Sequence, residues 1–305
     1  MTTLAAGLDY VDLNFLGRSQ IIATAIIQGP SGVALIDPGP STTLDNLRAA
    51  LKTKGIAIAD VRHLLLTHIH LDHAGSTGSL VKENPAIEVF VHERGAPHMI
   101  DPSKLLASAS RLYGADMDRL WGDFLAVPAD RVKAVKGGER IAAGGRELEV
   151  AYTPGHAWHH VSYFDASSRV AFVGDTAGIR RGAGAYVMPP TPPPDIELDA
   201  WRTSADRILA WDPDTLFLTH FGPSHGARLH FQELMDRLQT WSAIVRRLVA
   251  DASLDDAERE RQFVDAAMLD LRRVVGEQEA EMYSRAGRID YSWEGLSRYW
   301  RKRAA

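Results

Sequence analysis

The stretch Leu64-Leu65-Leu66-Thr67-His68-Ile69-His70-Leu71-Asp72-His73 sets three imidazoles and a carboxylate directly behind an apolar run. Neutral imidazole nitrogen and carboxylate oxygen are the donors that borderline divalent ions such as zinc prefer, and iron and manganese accept the same mixture. On one straight helix His68 and Asp72 would share a face while His70 and His73 would share another, roughly opposite. No single helix can therefore aim all four inward. The spacing predicts a strand ending near Thr67, a loop carrying His68 and His70, and a helix that begins at Asp72 and His73 with help from Gly75. Four donors from one turn can serve two ions as readily as one.

Working outward, the pattern of an apolar strand followed at once by a candidate ligand recurs three times. Glu149-Val150-Ala151-Tyr152 leads through Thr153-Pro154-Gly155 to His156. Val170-Ala171-Phe172-Val173-Gly174 leads to Asp175, and Thr215-Leu216-Phe217-Leu218-Thr219 leads to His220. Strand ends along one edge of a sheet are where α/β proteins collect their chemistry.

These motifs, together with Ile36-Asp37-Pro38-Gly39 upstream, resemble the metallo-β-lactamase-fold hydrolase superfamily, in an order that covers residues 20 to 222. The resemblance implies an α/β fold, a four-layer αββα sandwich, with a glyoxalase II-like or lactonase-like dinuclear metal site. It implies that His68, His70 and His156 hold one ion, that Asp72, His73 and His220 hold the other, and that Asp175 bridges them. Asp37 would brace the metal loop through hydrogen bonds. In related enzymes a histidine recurs four residues after the ligand that His156 matches, which implies a supporting hydrogen bond for His160. The near echo of His63-Leu64-Leu65-Leu66-Thr67-His68 in Leu216-Phe217-Leu218-Thr219-His220 fits two similar half-structures meeting at a shared edge.

Length and composition frame the expectation. A chain of 305 residues buries a large core, read here as a catalytic domain over 1–225 with a helical insert over about 101–126, and a C-terminal helical extension over 226–305. Absence of cysteine excludes thiolate ligands and disulfides. No basic leader opens the sequence and no run approaches a membrane span, so a cytoplasmic protein without membrane contact is expected. A net charge of −5 argues against a general nucleic-acid partner. The arginine-rich stretch 285–303 reads as a solvated helical surface of mixed charge.

Along the chain, residues 20–28 and 33–36 read as a hairpin and 42–54 as a helix with Leu44, Leu47 and Leu51 on one face. Ile87 to Val91 is another strand. The insert is rich in Leu, Met and aromatics and reads equally as a lid or as helices packed on the core. Residues 131–174 are strand-rich and are assigned to the second half-sheet. The proline-rich run 189–194 must be a loop and, leaving from Asp175, should pass the site mouth. A helix over about 197–210 precedes the strand to His220, and 226–301 reads as almost continuous helix. Its apolar stripe from Leu234 to Leu248 suits packing on the sandwich, closing over the site, or a homodimer.

The expected chemistry is hydrolysis of an ester, thioester or lactone of a small molecule by a hydroxide shared between two divalent ions, zinc first, iron or manganese otherwise. Asp175 and Asp72 are the candidate catalytic carboxylates, Asp72 by orienting the hydroxide or relaying a proton. Trp158, Tyr186 and Arg180 are the candidate substrate contacts: an aromatic wall, an oxyanion donor, and a cation for an anionic tail shared with Arg181. A phosphodiesterase of the same fold and a mononuclear-iron sulfur dioxygenase are the alternatives.

Overall fold

A computed structural model describes residues 3–182 and 186–304. Strands β1 (Leu8–Asp12), β2 (Ala23–Gly29), β3 (Gly32–Ile36), β4 (Val61–Leu65), β5 (Glu88–His92) and β6 (Val132–Val135) form one six-stranded sheet in sequence order. Strands β7 (Arg140–Ala143), β8 (Arg146–Tyr152), β9 (Val161–Asp165), β10 (Val170–Phe172), β11 (Thr215–Leu218) and β12 (Gly222–His225) form the second, also in order. Helices α1 (Leu44–Thr53), α2 (Leu71–Ala74), α3 (Thr77–Glu83), α4 (Ala96–Ile100), α5 (Ser103–Tyr113) and α6 (Met117–Trp121) accompany the first sheet. The second carries α7 (Leu198–Ala210), α8 (Ala227–Ala250), α9 (Asp256–Val275), α10 (Glu277–Gly287) and α11 (Ile289–Ala304).

The apolar runs explain the layering. Side chains alternate across a strand, so a strand covered on both faces must be apolar throughout. In β2, β3 and β4 one set, Ile26, Leu35 and Leu64, packs towards the helices with Leu47, Leu51 and Leu80. The alternate set, Ala25, Ile27, Ala34, Ile36 and Leu65, meets Leu148, Val150, Tyr163, Phe172 and Phe217 of the second sheet. The outer face of that sheet packs Phe164, Leu216 and Leu218 on Ile208, Phe231 and Leu234. The result is the expected αββα sandwich, with a further core among the C-terminal helices around Trp241, Phe263, Tyr283 and Trp293.

Several local readings change. β6 lies in the strand-rich stretch assigned to the second sheet but pairs in parallel with β5 of the first. β1 and β12 went unread, the former because Asp9 and Asp12 interrupt its apolar pattern on a sheet edge. Gly75 closes α2 instead of opening it. Four helices occupy 226–301, separated at Asp251–Asp255, Gly276 and Arg288. The stripe of α8 is buried within the chain, Leu234 against the second sheet and Trp241, Val245 and Leu248 among the later helices. In the insert, Leu120, Trp121 and Phe124 join the first core, and Trp121 stacks on Phe15 with centroids 5.6 Å apart. Among the described residues no helix is long and apolar enough to cross a membrane.

Candidate metal centre

Two parallel pairings, β3 with β4 and β10 with β11, bring four strand ends to the same edge of the sandwich. Asp37 follows β3, His68 follows β4, Asp175 sits on the turn Gly174–Ala177 after β10, and His220 follows β11. His156 arrives from the end of β8. Gly174 makes this convergence possible: its φ is +44°, and a Cβ there would stand 2.5 Å from Thr67 Oγ1 and 2.7 Å from His160 Nε2.

Seven side chains meet at that edge in three overlapping groups: His68, His70 and His156; His68, His73 and Asp175; and Asp72, His73 and His220. In the first, His70 Nδ1 lies 3.0 Å from both His68 Nε2 and His156 Nε2. In the last, His220 Nε2 lies 3.2 Å from His73 Nε2 and 3.2 Å from Asp72 Oδ2. Asp175 spans the two: Oδ2 is 3.4 Å from His156 Nε2, while Oδ1 is 3.2 Å from His73 Nε2 and 3.6 Å from His220 Nε2.

The surroundings decide which nitrogen of each ring faces inward. A ring whose Nδ1–H is occupied presents the Nε2 lone pair. His73 donates to Asp37 Oδ2 (2.8 Å), His156 to the Pro190 carbonyl (2.9 Å), His220 to the Ile21 carbonyl (2.7 Å) and His68 to Thr67 Oγ1 (3.1 Å). Asp37 is itself saturated, accepting from Thr67 N and from the Thr67 and Thr219 hydroxyls at 2.7–2.8 Å. It braces the metal loop as the resemblance implies. His160 accepts from the Asp175 amide (3.2 Å) and contacts the Thr153 and Thr176 hydroxyls, so it holds the turn that carries Asp175.

Electrostatics separate the groups. Burial, reinforced by the neighbouring imidazoles, keeps His68 well below the usual histidine range and brings His70 down to about 3. Burial also lowers His156. In the other group burial is outweighed by carboxylates: Asp175, Asp72 and Asp37 hold His73 well above the usual range, and Asp175 with Asp72 raises His220. Burial opposes ionisation of Asp72, but His73 and His220 bring it to about 2.

Asp175 Oδ1 is the atom most suited to meet a cation. It is buried and has no hydrogen-bond partner among the described residues. It faces Nε2 of His73 and of His220, and the carboxylates that draw these rings towards the protonated form offer the same attraction to a metal cation, which replaces the ring protons and meets three donor atoms at once. The donor set, imidazole and carboxylate without sulfur, suits divalent ions.

The family model described as the metallo-beta-lactamase superfamily matches residues 20–220. The chain belongs to that superfamily. A metallo-beta-lactamase fold-containing protein of Sulfurisphaera tokodaii is 28% identical over 210 residues, covering 67% of this chain and 74% of its own length. A hydroxyacylglutathione hydrolase of Legionella pneumophila is 26% identical over 141 residues, 46% of this chain and 41% of its own. Among solved structures, a metallo-beta-lactamase family protein of Thermus thermophilus superposes with a TM-score of 0.69 at 21% identity, over 99% of this chain and 96% of that one. Metallo-hydrolase relatives and the clustered histidines and aspartates together mark a superfamily metallo-hydrolase with a site for divalent metal.

Superfamily ligands converge as the motifs implied, whereas the three substrate contacts do not. Tyr186 is fully buried, donates to Asp270 Oδ2 (3.1 Å) and lies under the Arg237 guanidinium, because the chain after Asp175 pairs Ile179 with Met188 and dives into the C-terminal core. Arg180 donates to Ser224 Oγ (3.0 Å) beneath β12. Arg181 is buried against Glu279. Trp158 is 37% exposed beside Arg94 and does not line the ligand cavity.

A cavity of about 260 Å3 opens on the ligands, walled by Phe15, Trp121, Tyr113 and Tyr291. Pro190 and Pro192 of the proline-rich loop line it too, so that loop does border the site. A second cavity, about 460 Å3, shares His70, Tyr113 and Pro192 with the first. Gly295 of α11 seats that loop: a Cβ there would stand 2.0 Å from the Thr191 carbonyl oxygen. The aromatic-rich insert does supply Tyr113 and Trp121 to this cavity, whereas sequence reasoning missed Tyr291, whose approach to Tyr113 depends on packing between the insert and α11 (ring centroids 5.5 Å).

Proposed function

We propose that the chain is a dinuclear metal-dependent hydrolase that cleaves an ester, thioester or lactone bond of a small molecule. The observation that carries this reading is the splayed carboxylate of Asp175, one oxygen towards each group of imidazoles. His68, His70 and His156 would hold one ion, Asp72, His73 and His220 the other, and Asp175 both. Bound ions of this kind, zinc first and iron or manganese otherwise, supply an acidified water and polarise a carbonyl oxygen. Asp72 reaches the cavity and, kept ionised by His73 and His220, can accept a proton from the attacking water. Asp37 and His160 keep the ligands in register. Tyr113 and Trp121 wall off solvent on the cavity side.

Support comes from the hydroxyacylglutathione hydrolases among the relatives, and from a protein, TTHA1623, solved in a di-iron-bound form, with a TM-score of 0.52 at 25% identity over 70% of this chain. Elemental analysis of protein purified without chelator, paired with an ester, thioester and lactone screen, tests the proposal. Close to two divalent ions per chain and turnover of one substrate class are expected. A single iron per chain, with oxygen-dependent oxidation of thiol or persulfide substrates, would overturn it.

A further inference from the structure

Four guanidinium groups, those of Arg18, Arg119, Arg285 and Arg288, line the cavity that opens on the ligand cluster. They come from three separate places in the chain: the turn after β1, helix α6, and the end of α10 with the residue that follows it. Apart from the ligands Asp72 and Asp175, no carboxylate lines this cavity among the described residues. Arg18 is half-buried and, among the described residues, its side chain makes no ion pair or hydrogen bond. Arg285 reaches Glu281 only at 3.6 Å. Arg119 and Arg288 each keep one acidic neighbour, Asp116 and Asp290, and Arg288 also lies over the Tyr291 ring at 3.9 Å.

On a chain of net charge −5 this is a local concentration, not a consequence of composition. Guanidinium groups crowded at one concave mouth repel each other, and a negatively charged guest relieves that repulsion through forked, charge-assisted hydrogen bonds. Concave, low-dielectric walls focus the field into the cavity. A volume of about 260 Å3 admits one arm of a small molecule and no duplex or folded chain.

We propose that this mouth selects substrates whose arm beyond the scissile bond ends in a carboxylate or phosphate, held by Arg18 and Arg285 and flanked by Arg119 and Arg288. The inference rests on the hydrolytic reading above and deepens it by naming the charge of the substrate. Arg180 and Arg181, next to the bridging aspartate in sequence, take no part.

Three acetyl thioesters that share the acyl group test it: acetyl N-acetylcysteamine, whose arm is neutral, acetyl mercaptopropionate, which carries a carboxylate, and acetyl phosphopantetheine, which carries a phosphate. The metal-loaded enzyme should prefer at least one anionic arm through KM, and R18A/R285A should reduce that preference about 10- to 100-fold, the scale of lost hydrogen bonds to charged groups. Which anionic arm is preferred distinguishes carboxylate from phosphate. Equal kcat/KM for all three, or an equal fall for all three in the double variant, overturns the proposal. If none is turned over, the thioester branch of the hydrolytic reading fails, and equilibrium dialysis of the intact acetyl mercaptopropionate then decides the mouth separately. Retention by the wild type that R18A/R285A loses supports it; equal retention sinks it.

Discussion

His68 and His220 each follow a threonine at the end of an inner strand, and both threonines donate to the same oxygen of Asp37. From that shared start the two ligand groups diverge. The first is completed by imidazoles alone, His70 and His156, and burial keeps it neutral. The second acquires Asp72 and lies against Asp175, so its imidazoles are drawn towards the charged form. One strand-end device thus yields an all-nitrogen pocket in one place and a mixed nitrogen and oxygen pocket beside it. Identity of the ligands matters less to this difference than the company each keeps.

The largest test removes what joins the groups. Asp175→Ala should lose about one equivalent of metal by elemental analysis and lower kcat at least ~1000-fold, about 4 kcal/mol of transition-state stabilisation. Unchanged activity would show that the groups work independently. Asp37→Ala strips the partner from His73 Nδ1, the Thr67 amide and both threonine hydroxyls. A destabilisation of about 3–5 kcal/mol in urea titration is expected from leaving those buried donors unpaired. Loss of metal from the mixed group alone would reassign Asp37 from shared hub to private support of His73.

Protonation probes the bridge from behind. His230 accepts at Nδ1 from Ser224 Oγ (2.9 Å) and donates from Nε2 to the carbonyl of Ala177, the last residue of the Asp175 turn (2.7 Å). Burial, with a smaller push from Arg180, lowers it from 6.5 to about 4. The unfolded chain therefore binds the proton first as pH falls. This contribution to stability is complete above about 6.5, declines below it and is gone near 4, a span of roughly 3 kcal/mol. Urea midpoints from pH 7 to 4.5 should fall more steeply for the wild type than for His230→Gln; parallel profiles would show that His230 is not the titrating group. The smallest expected effect compares the threonines. Thr67→Val removes the partner of His68 and should weaken metal binding about 10-fold in a chelator competition, whereas Thr219→Val removes only a brace and should do less. Equal losses would mean that the two strand ends are interchangeable.

The sandwich and all seven converging donors were legible because each ligand sits within a few residues of the apolar strand that places it. Asp37 and His160 were legible through motif resemblance, and the structure gives the reason in saturated hydrogen bonds. Substrate contacts were not, because nearness in sequence to His156 or Asp175 does not fix nearness in space. Past Ile179 the chain turns into the helical core, which claims Tyr186 and Arg181 for packing. Beyond Tyr113 and Trp121 of the insert, the cavity walls come from Phe15, Arg285 and Tyr291, which carry no shared motif. The sequence pattern assigns Arg285 and Arg288 to a solvated surface, since a run of arginines on a helix does not disclose which of them faces a cavity.

The seat of α11 on the proline-rich loop ties two timescales of change together. His156 is oriented by a carbonyl of that loop, and the loop is pinned by a helix that supplies no ligand to the centre. Substitutions on the far side of α11 that shift it by a fraction of an ångström can therefore retune the reactivity of the centre without altering any ligand. The C-terminal helices give drift a lever on the chemistry while leaving the ligand motifs intact.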